Sequence, residues 1–289
     1  MAASAEELAS LLVLEPLDVD LFRGRQADTS RQRVFGGQVA AQAVVAANRS
    51  LDEDFVMHSL HSYFLRPGDP AVPIIYDVER IRDGRTFATR RVMARQHGRP
   101  IYYLTASFQK PEDGFEHQDR MPDVAGPEHG LSMADLARSQ GEKAGEEWVR
   151  EWAALDARYL GTSKIGLPED PDHPARARLW LRIDGDLGDD PLTHQAAFTY
   201  ASDLTLLGAA LVPHGVHFGT PGMQMASLDH TVWFHRPFRA DDWWLYDQVS
   251  PRAVGGRGLA TARVFSADGT LVATVAQEGL IRIREPRDS

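Results

Sequence analysis

The stretch at 225–237, MASLDHTVWFHRP, reads as a strand. Ala226, Leu228, Val232 and Phe234 fall on one side, and Ser227, Asp229, Thr231 and Trp233 alternate onto the other. An earlier stretch, MHSLHSYFLRP at 57–67, echoes it, with Phe64, Arg66 and Pro67 matching Phe234, Arg236 and Pro237 at a constant offset of 170 residues. Further on, Gly84-Arg85 with Phe87-Ala88-Thr89 matches Gly256-Arg257 with Leu259-Ala260-Thr261 at an offset of 172. Gln109 and Gln277 close the last long strand of each half. The chain therefore holds one unit written twice, in a first unit at 1–110, a linker at 111–175 and a second unit at 176–289.

The elements of each unit follow from local pattern. Ser4 with Glu7 forms a capping box that opens a short helix bearing Leu8, Leu11 and Leu12. Leu17, Val19 and Leu21 alternate with aspartates and predict a strand. Gly36-Gly37 opens an alanine-rich helix over 38–48, slim enough for a sheet to wrap closely. Strands over 56–66, 74–79, 85–95 and 101–109 follow, with turns at Asp83-Gly84 and His97-Gly98. The proline-punctuated linker is too long to be structureless. It is expected to hold two short helices, one capped by Ser132 with Asp135 and ending at Gly141, the other carrying Trp148, Trp152 and Leu155 as a packing stripe. The second unit repeats the plan with a strand over 176–183, a helix over 191–211, the stretch at 225–237, and a meander over 244–249, 257–266 and 271–283.

Composition narrows the function. The 289 residues are 43% hydrophobic, ample for a large core. A net charge of −10 argues against nucleic acid as a partner. The absence of cysteine removes disulfides, thiol nucleophiles and thiolate metal sites. No leader segment is visible, no stretch is read as membrane-spanning, and Arg287-Asp288-Ser289 is not a peroxisomal address, so a cytoplasmic protein without membrane partners is the expectation.

Candidate chemistry is sparse. Asp203 has Tyr200, Leu206 and Leu207 at helical spacing, and a carboxylate there is costly to bury unpaired. Two readings stand: a structural Asp tied to an arginine or hydroxyl, or a functional one. Ser227 is an ordinary polar strand residue with no Gly-x-Ser-x-Gly elbow around it. Gln277 reads as a glutamine near a strand end. His58 and His61, three apart on a strand, are expected on opposite faces and unable to chelate together. His230 is expected in the core, and Asp229-His230 on opposite faces make a poor dyad. Arg66, Arg90, Arg91, Arg236 and Arg257 are candidates for a basic rim, and the glycines at 255–258 form a turn rather than a phosphate loop.

The segments FLRPGDP, FEHQ, YASD, SLDHTVWFHRPF and VAQEG, in this order between residues 17 and 282, resemble the type II acyl-CoA thioesterases. The resemblance implies an α+β double hotdog fold, in which two helix-in-sheet units share one continuous sheet. It implies hydrolysis of acyl-CoA to fatty acid and CoA with no metal or other cofactor. It also implies a catalytic set of Asp203, Ser227 and Gln277, and by association of hotdog proteins a homodimer or homotetramer. Gln38 stands in the first helix where an acid would be needed, so one active site per chain is expected, in the second unit. Two rival functions are a hotdog enoyl-CoA hydratase, which lacks its histidine after Asp203, and a non-catalytic acyl-CoA-binding protein.

Overall fold

The computed structural model describes residues 1–139 and 141–284; the C-terminal tripeptide considered above lies outside them. Helix α1 (Ala5–Leu12) starts where predicted. Ser4 Oγ accepts the Glu7 N–H at 3.1 Å, and Glu7 Oε2 accepts the Ala3 N–H at 2.7 Å. Its face buries Leu8, Leu11 and Leu12, each contributing about 2 kcal/mol. The alternation over 17–21 is not one strand. The chain folds back at Asp20, whose φ of 56° is left-handed, to pair β1 (Glu15–Asp18) with β2 (Leu21–Gly24). Aspartate tolerates that conformation, and Arg80 holds its carboxylate through two hydrogen bonds.

Helix α2 (Gly36–Asn48) is alanine-rich and buried on all sides from Gly37 to Ala47. Strands β3 (Val56–Phe64), β4 (Ile74–Asp83), β5 (Phe87–Gln96) and β6 (Arg99–Gln109) wrap it. The linker holds β7 (Leu131–Ser132), α3 (Met133–Ser139) and α4 (Glu142–Trp152). It also holds a strand that pattern reasoning did not expect, β8 (Leu155–Thr162). Leu155, read as the last member of a helical stripe, instead opens β8 and faces inward with Ala157.

In the second unit come β9 (Arg176–Ile183), α5 (Pro191–Ser202), 3₁₀ turns over Leu206–His214, and β10 (Met223–Ser227). They are followed by β11 (Asp229–Phe234), β12 (Trp244–Val254), β13 (Arg257–Ser266) and β14 (Leu271–Ile283). Gly255 and Gly256, both at positive φ, make the turn between β12 and β13. Pro191–His214 is long and apolar enough to cross a membrane, contrary to the expectation from sequence, but 67% of its apolar window is buried inside the fold.

Among the described residues the strands form one antiparallel sheet in the order β1-β2-β4-β5-β6-β3-β11-β14-β13-β12-β9-β8-β7, with β10 also paired to β14. The seam between the halves is the β3–β11 ladder, where Leu60 lies opposite Val232 and His61 opposite Thr231. Helices α2 and α5 pack directly on each other inside the curved sheet. This is a double hotdog. A one-residue bulge at His58 corrects one expectation. It turns His58 onto the outer face, against Ser107 and Phe87, and His61 is on that same face against Trp233.

Candidate active site

Helix α5 ends at Ser202, and Asp203 is its C-cap residue. Helix α2 begins at Gly36 and has no side-chain cap. The two termini meet, so the first N–H groups of α2 point toward the Asp203 carboxylate. The Gly37 N–H lies close enough to favour its charged form, and the positive end of the helix adds to the attraction. This approach needs glycine. A Cβ on Gly36 would lie 2.7 Å from Asp203 Oδ2, and one on Gly37 would lie 2.3 Å from the Tyr200 carbonyl oxygen.

Ser227 and Gln277 reach the same carboxylate. Ser227 Oγ donates to Asp203 Oδ1 at 3.1 Å, and Gln277 Nε2 donates to the same oxygen at 2.5 Å. Gln277 is fully buried, and its Oε1 has no hydrogen-bond partner. Strict alternation over 225–237 would have put Ser227 on the outer face with Thr231 and Trp233. The register against β14 changes by one residue between Ser227 and Thr231. That bulge at Leu228 divides the stretch into β10 and β11, turns Ser227 inward and leaves Ala226 exposed.

Asp203 and Ser227 border an apolar cavity of about 700 Å³ that also receives Phe35, Phe64, Tyr102, Trp148 and Trp152, and Gln277 is buried behind the carboxylate. Desolvation in this setting raises the Asp203 carboxyl to about 6, against the opposing pull of Gln277, Ser227 and the Gly37 N–H. Sequence reasoning missed three features. Tyr102 presents a buried hydroxyl beside Ser62, and burial holds it well above the ordinary phenol range, so it stays protonated. Trp148 and Trp152, expected to pack against the domains, also roof the cavity, Trp152 edge-on to Phe35 at 4.9 Å. The exposed arginines lining it are Arg31, Arg33 and Arg66. Of the rim candidates read from sequence only Arg66 is there. Arg90 is buried against Asp83 and Ser50, and Arg91, Arg236 and Arg257 pair with Glu79, Glu116 and Glu278.

His230 is fully buried, with Nε2 at 2.9 Å from Ser202 Oγ and Nδ1 without a partner. Burial lowers it to about 4, which keeps the ring neutral. Asp229 lies on the other side of the strand, half-buried, and accepts the Glu278 N–H at 2.7 Å. Gln38, in the first helix, bonds Gln26 and the Arg25 carbonyl. No group of three or more side chains suited to a metal ion occurs among the described residues.

A double hotdog in which a hydroxyl and an amide converge on a buried carboxylate beside an apolar cavity defines a class of hydrolytic acyl-group enzymes. The chain belongs to the type II acyl-CoA thioesterase family. The family profile described as acyl-CoA thioesterase matches residues 172–280, and that of the acyl-CoA thioesterase N-terminal domain matches 25–109. The chain is 42% identical to acyl-CoA thioesterase 2 of Haemophilus influenzae over 99% of its own length and all of the relative's. It is also 42% identical to human acyl-coenzyme A thioesterase 8, over 96% of this chain and 89% of that one. The crystal structure of acyl-CoA thioesterase II TesB2 from Mycobacterium marinum superposes with a TM-score of 0.83 at 42% identity, covering 96% of this chain and 99% of that one.

Proposed function

We propose that the chain hydrolyses acyl-CoA thioesters to a free fatty acid and CoA, by direct attack of a water that Asp203 activates. The observation carrying this reading is the convergence of Ser227 Oγ and Gln277 Nε2 on Asp203 Oδ1. It leaves Oδ2, beside Gly36, for the water. The water gives its proton to the carboxylate as its oxygen bonds to the thioester carbon. Gln277, buried behind the carboxylate, holds Oδ1 through its Nε2 and so fixes the orientation of Oδ2 toward the water. The Gly36 N–H, first in helix α2 and on the cavity wall, is a donor for the carbonyl oxygen as it gains charge. Collapse breaks the C–S bond. A thiol of pKa about 8.5 leaves readily and takes the proton back from Asp203, so no second acid is needed.

Direct attack excludes an acyl-Ser227 intermediate. Mass spectrometry of enzyme quenched during turnover is expected to show unmodified Ser227, and an acyl adduct there overturns the mechanism. Because the base must be ionised, kcat/KM is expected to fall tenfold per pH unit below about 6, the value for Asp203. An acid limb near 4 would mean that another group is the base.

The apolar cavity suits the acyl chain, and Arg31, Arg33 and Arg66 suit the phosphates of CoA. Arg31 also pairs with the buried Glu151 at 4.0 Å, so Arg33 and Arg66 carry the test in a protein of net charge −10. Reversing Arg33 and Arg66 together to glutamate is expected to raise KM for an acyl-CoA about tenfold at low salt, roughly 1.4 kcal/mol. High salt should shrink the effect. KM for the same acyl group on pantetheine, which carries no phosphate, should move less than twofold. Equal changes for both substrates would remove these arginines from phosphate recognition.

We further read 1–110 and 176–289 as the two hotdog units, 111–175 as the linker, and the cytoplasm as the location. The outer face at the seam, with Tyr63, His61 and Trp233 exposed, fits a homodimer or homotetramer, which light scattering would test.

A further inference from the structure

We propose that the adjacent pair Asp229 and His230 is a positioning clamp that holds Asp203, Ser227 and Gln277 in register with one another. The inference rests on the hydrolytic reading above. Two neighbours on a strand point to opposite faces, and here each face meets a segment carrying another member of the triad.

On the outer face, the extra residue at Leu228 disturbs the ladder against β14, where the Leu228 N–H bonds the Glu278 carbonyl at 2.9 Å. A bulge leaves backbone groups without their regular partners. Asp229 Oδ1 takes the Glu278 N–H at 2.7 Å, so a side chain replaces the missing strand acceptor. Glu278 directly follows Gln277, and Asp229 lies two residues after Ser227. One hydrogen bond therefore fixes the bulge that turns Ser227 inward and the peptide that aims Gln277.

On the inner face, Ser202 Oγ already donates to the Thr199 carbonyl at 3.1 Å, so it accepts the Nε2–H of His230. The Ser202 carbonyl takes the Tyr246 hydroxyl at 2.9 Å. The last residue of α5 is thus held from two sides, and Asp203 is the next residue. Each end of the clamp grips a residue next in the chain to a group whose placement within a fraction of an ångström sets the rate. The pair touches neither the cavity nor a substrate, so its role is positioning.

Asp229→Ala removes the acceptor, and Asp229→Asn restores one in the same place. The alanine variant is expected to lose about tenfold to a hundredfold in kcat on an acyl-CoA, with KM changed less than threefold. The asparagine variant should stay within threefold of the parent. Because the alanine change acts through Ser227 and Gln277, adding it to Ser227→Ala should cost much less than the product of the two single losses. Unchanged kcat in Asp229→Ala, equal losses in the alanine and asparagine variants, or full multiplication with Ser227→Ala would each overturn the clamp. Should Asp229→Ala not fold, Ser202→Ala carries the test. It is expected to lower kcat about tenfold with KM preserved, and parental kcat there refutes the inner half. A parent chain that releases no CoA would instead refute the hydrolytic reading.

Discussion

Asp203→Asn is expected to lower kcat on an acyl-CoA at least tenfold, and up to about 10⁴-fold if the whole general-base contribution is lost. Binding should persist. Asparagine keeps an acceptor for the Ser227 hydroxyl and the Gln277 amide and fills the same volume, so cavity and rim are undisturbed. Release of free CoA in a thiol-capture assay reads the first quantity, and calorimetric titration with an acyl-CoA reads the second. A variant that turns over at the parental rate removes Asp203 from the chemistry. A parent that binds but never releases CoA is a binding protein, not a hydrolase.

The same substitution is expected to stabilise the fold, and the sign follows from the carboxyl's raised value. In the folded chain Asp203 titrates at about 6 rather than 3.8, chiefly because burial penalises the charge. The folded state therefore holds a proton that the unfolded state has released between those two values, and stability falls as pH rises through that window. Above it the penalty is full, about 3 kcal/mol for a shift of about two units, and less to the extent that cavity water reaches the carboxylate. Asparagine escapes the penalty. Its melting temperature should exceed the parent's at pH 7–8, and the two should converge near pH 4. A variant less stable than the parent at pH 8 would show that the three hydrogen-bond donors outweigh desolvation.

The repeat makes the architecture legible in the chain itself. A tandem echo of strand, turn and strand constrains topology far more than any single propensity, and the paired meanders and the two small-residue helices are where it places them. Errors fell where periodicity was broken on purpose. Two bulges, at His58 and Leu228, shift the inward and outward phase by one residue, and strict alternation has no term for an inserted residue. The second mattered most, because it decides whether Ser227 faces Asp203 or solvent. Strand β8 was hidden because Leu155 continued the spacing of Trp148 and Trp152, and a stripe of three residues cannot show where a helix stops. Arg31, Arg33 and Tyr102 carry no local signal. They reach the cavity through segments distant in sequence, and only the packing of the two halves assembles them.

Gly37→Ala tests whether that packing sets the chemistry. By helix propensity alone the change should stabilise, since alanine in a helix is worth nearly 1 kcal/mol over glycine. The site opposes it. The new Cβ would stand 2.3 Å from the Tyr200 carbonyl oxygen, a backbone atom of α5 that cannot swing aside, and 2.5 Å from the Phe35 ring. Overpacking of this kind costs about 1–3 kcal/mol and is relieved by sliding the start of α2 away from α5. The steric term wins, so a drop of several degrees in melting temperature is expected. Separation also withdraws the Gly37 N–H from Asp203, a donor that favours the ionised carboxylate, so the acid limb of kcat/KM should move to higher pH. A displacement near 1 Å at the triad is expected to cost about 10²-fold in kcat. An alanine variant more stable than the parent, with an unmoved acid limb, would mean that the two helix ends are free to part without consequence for the carboxylate between them.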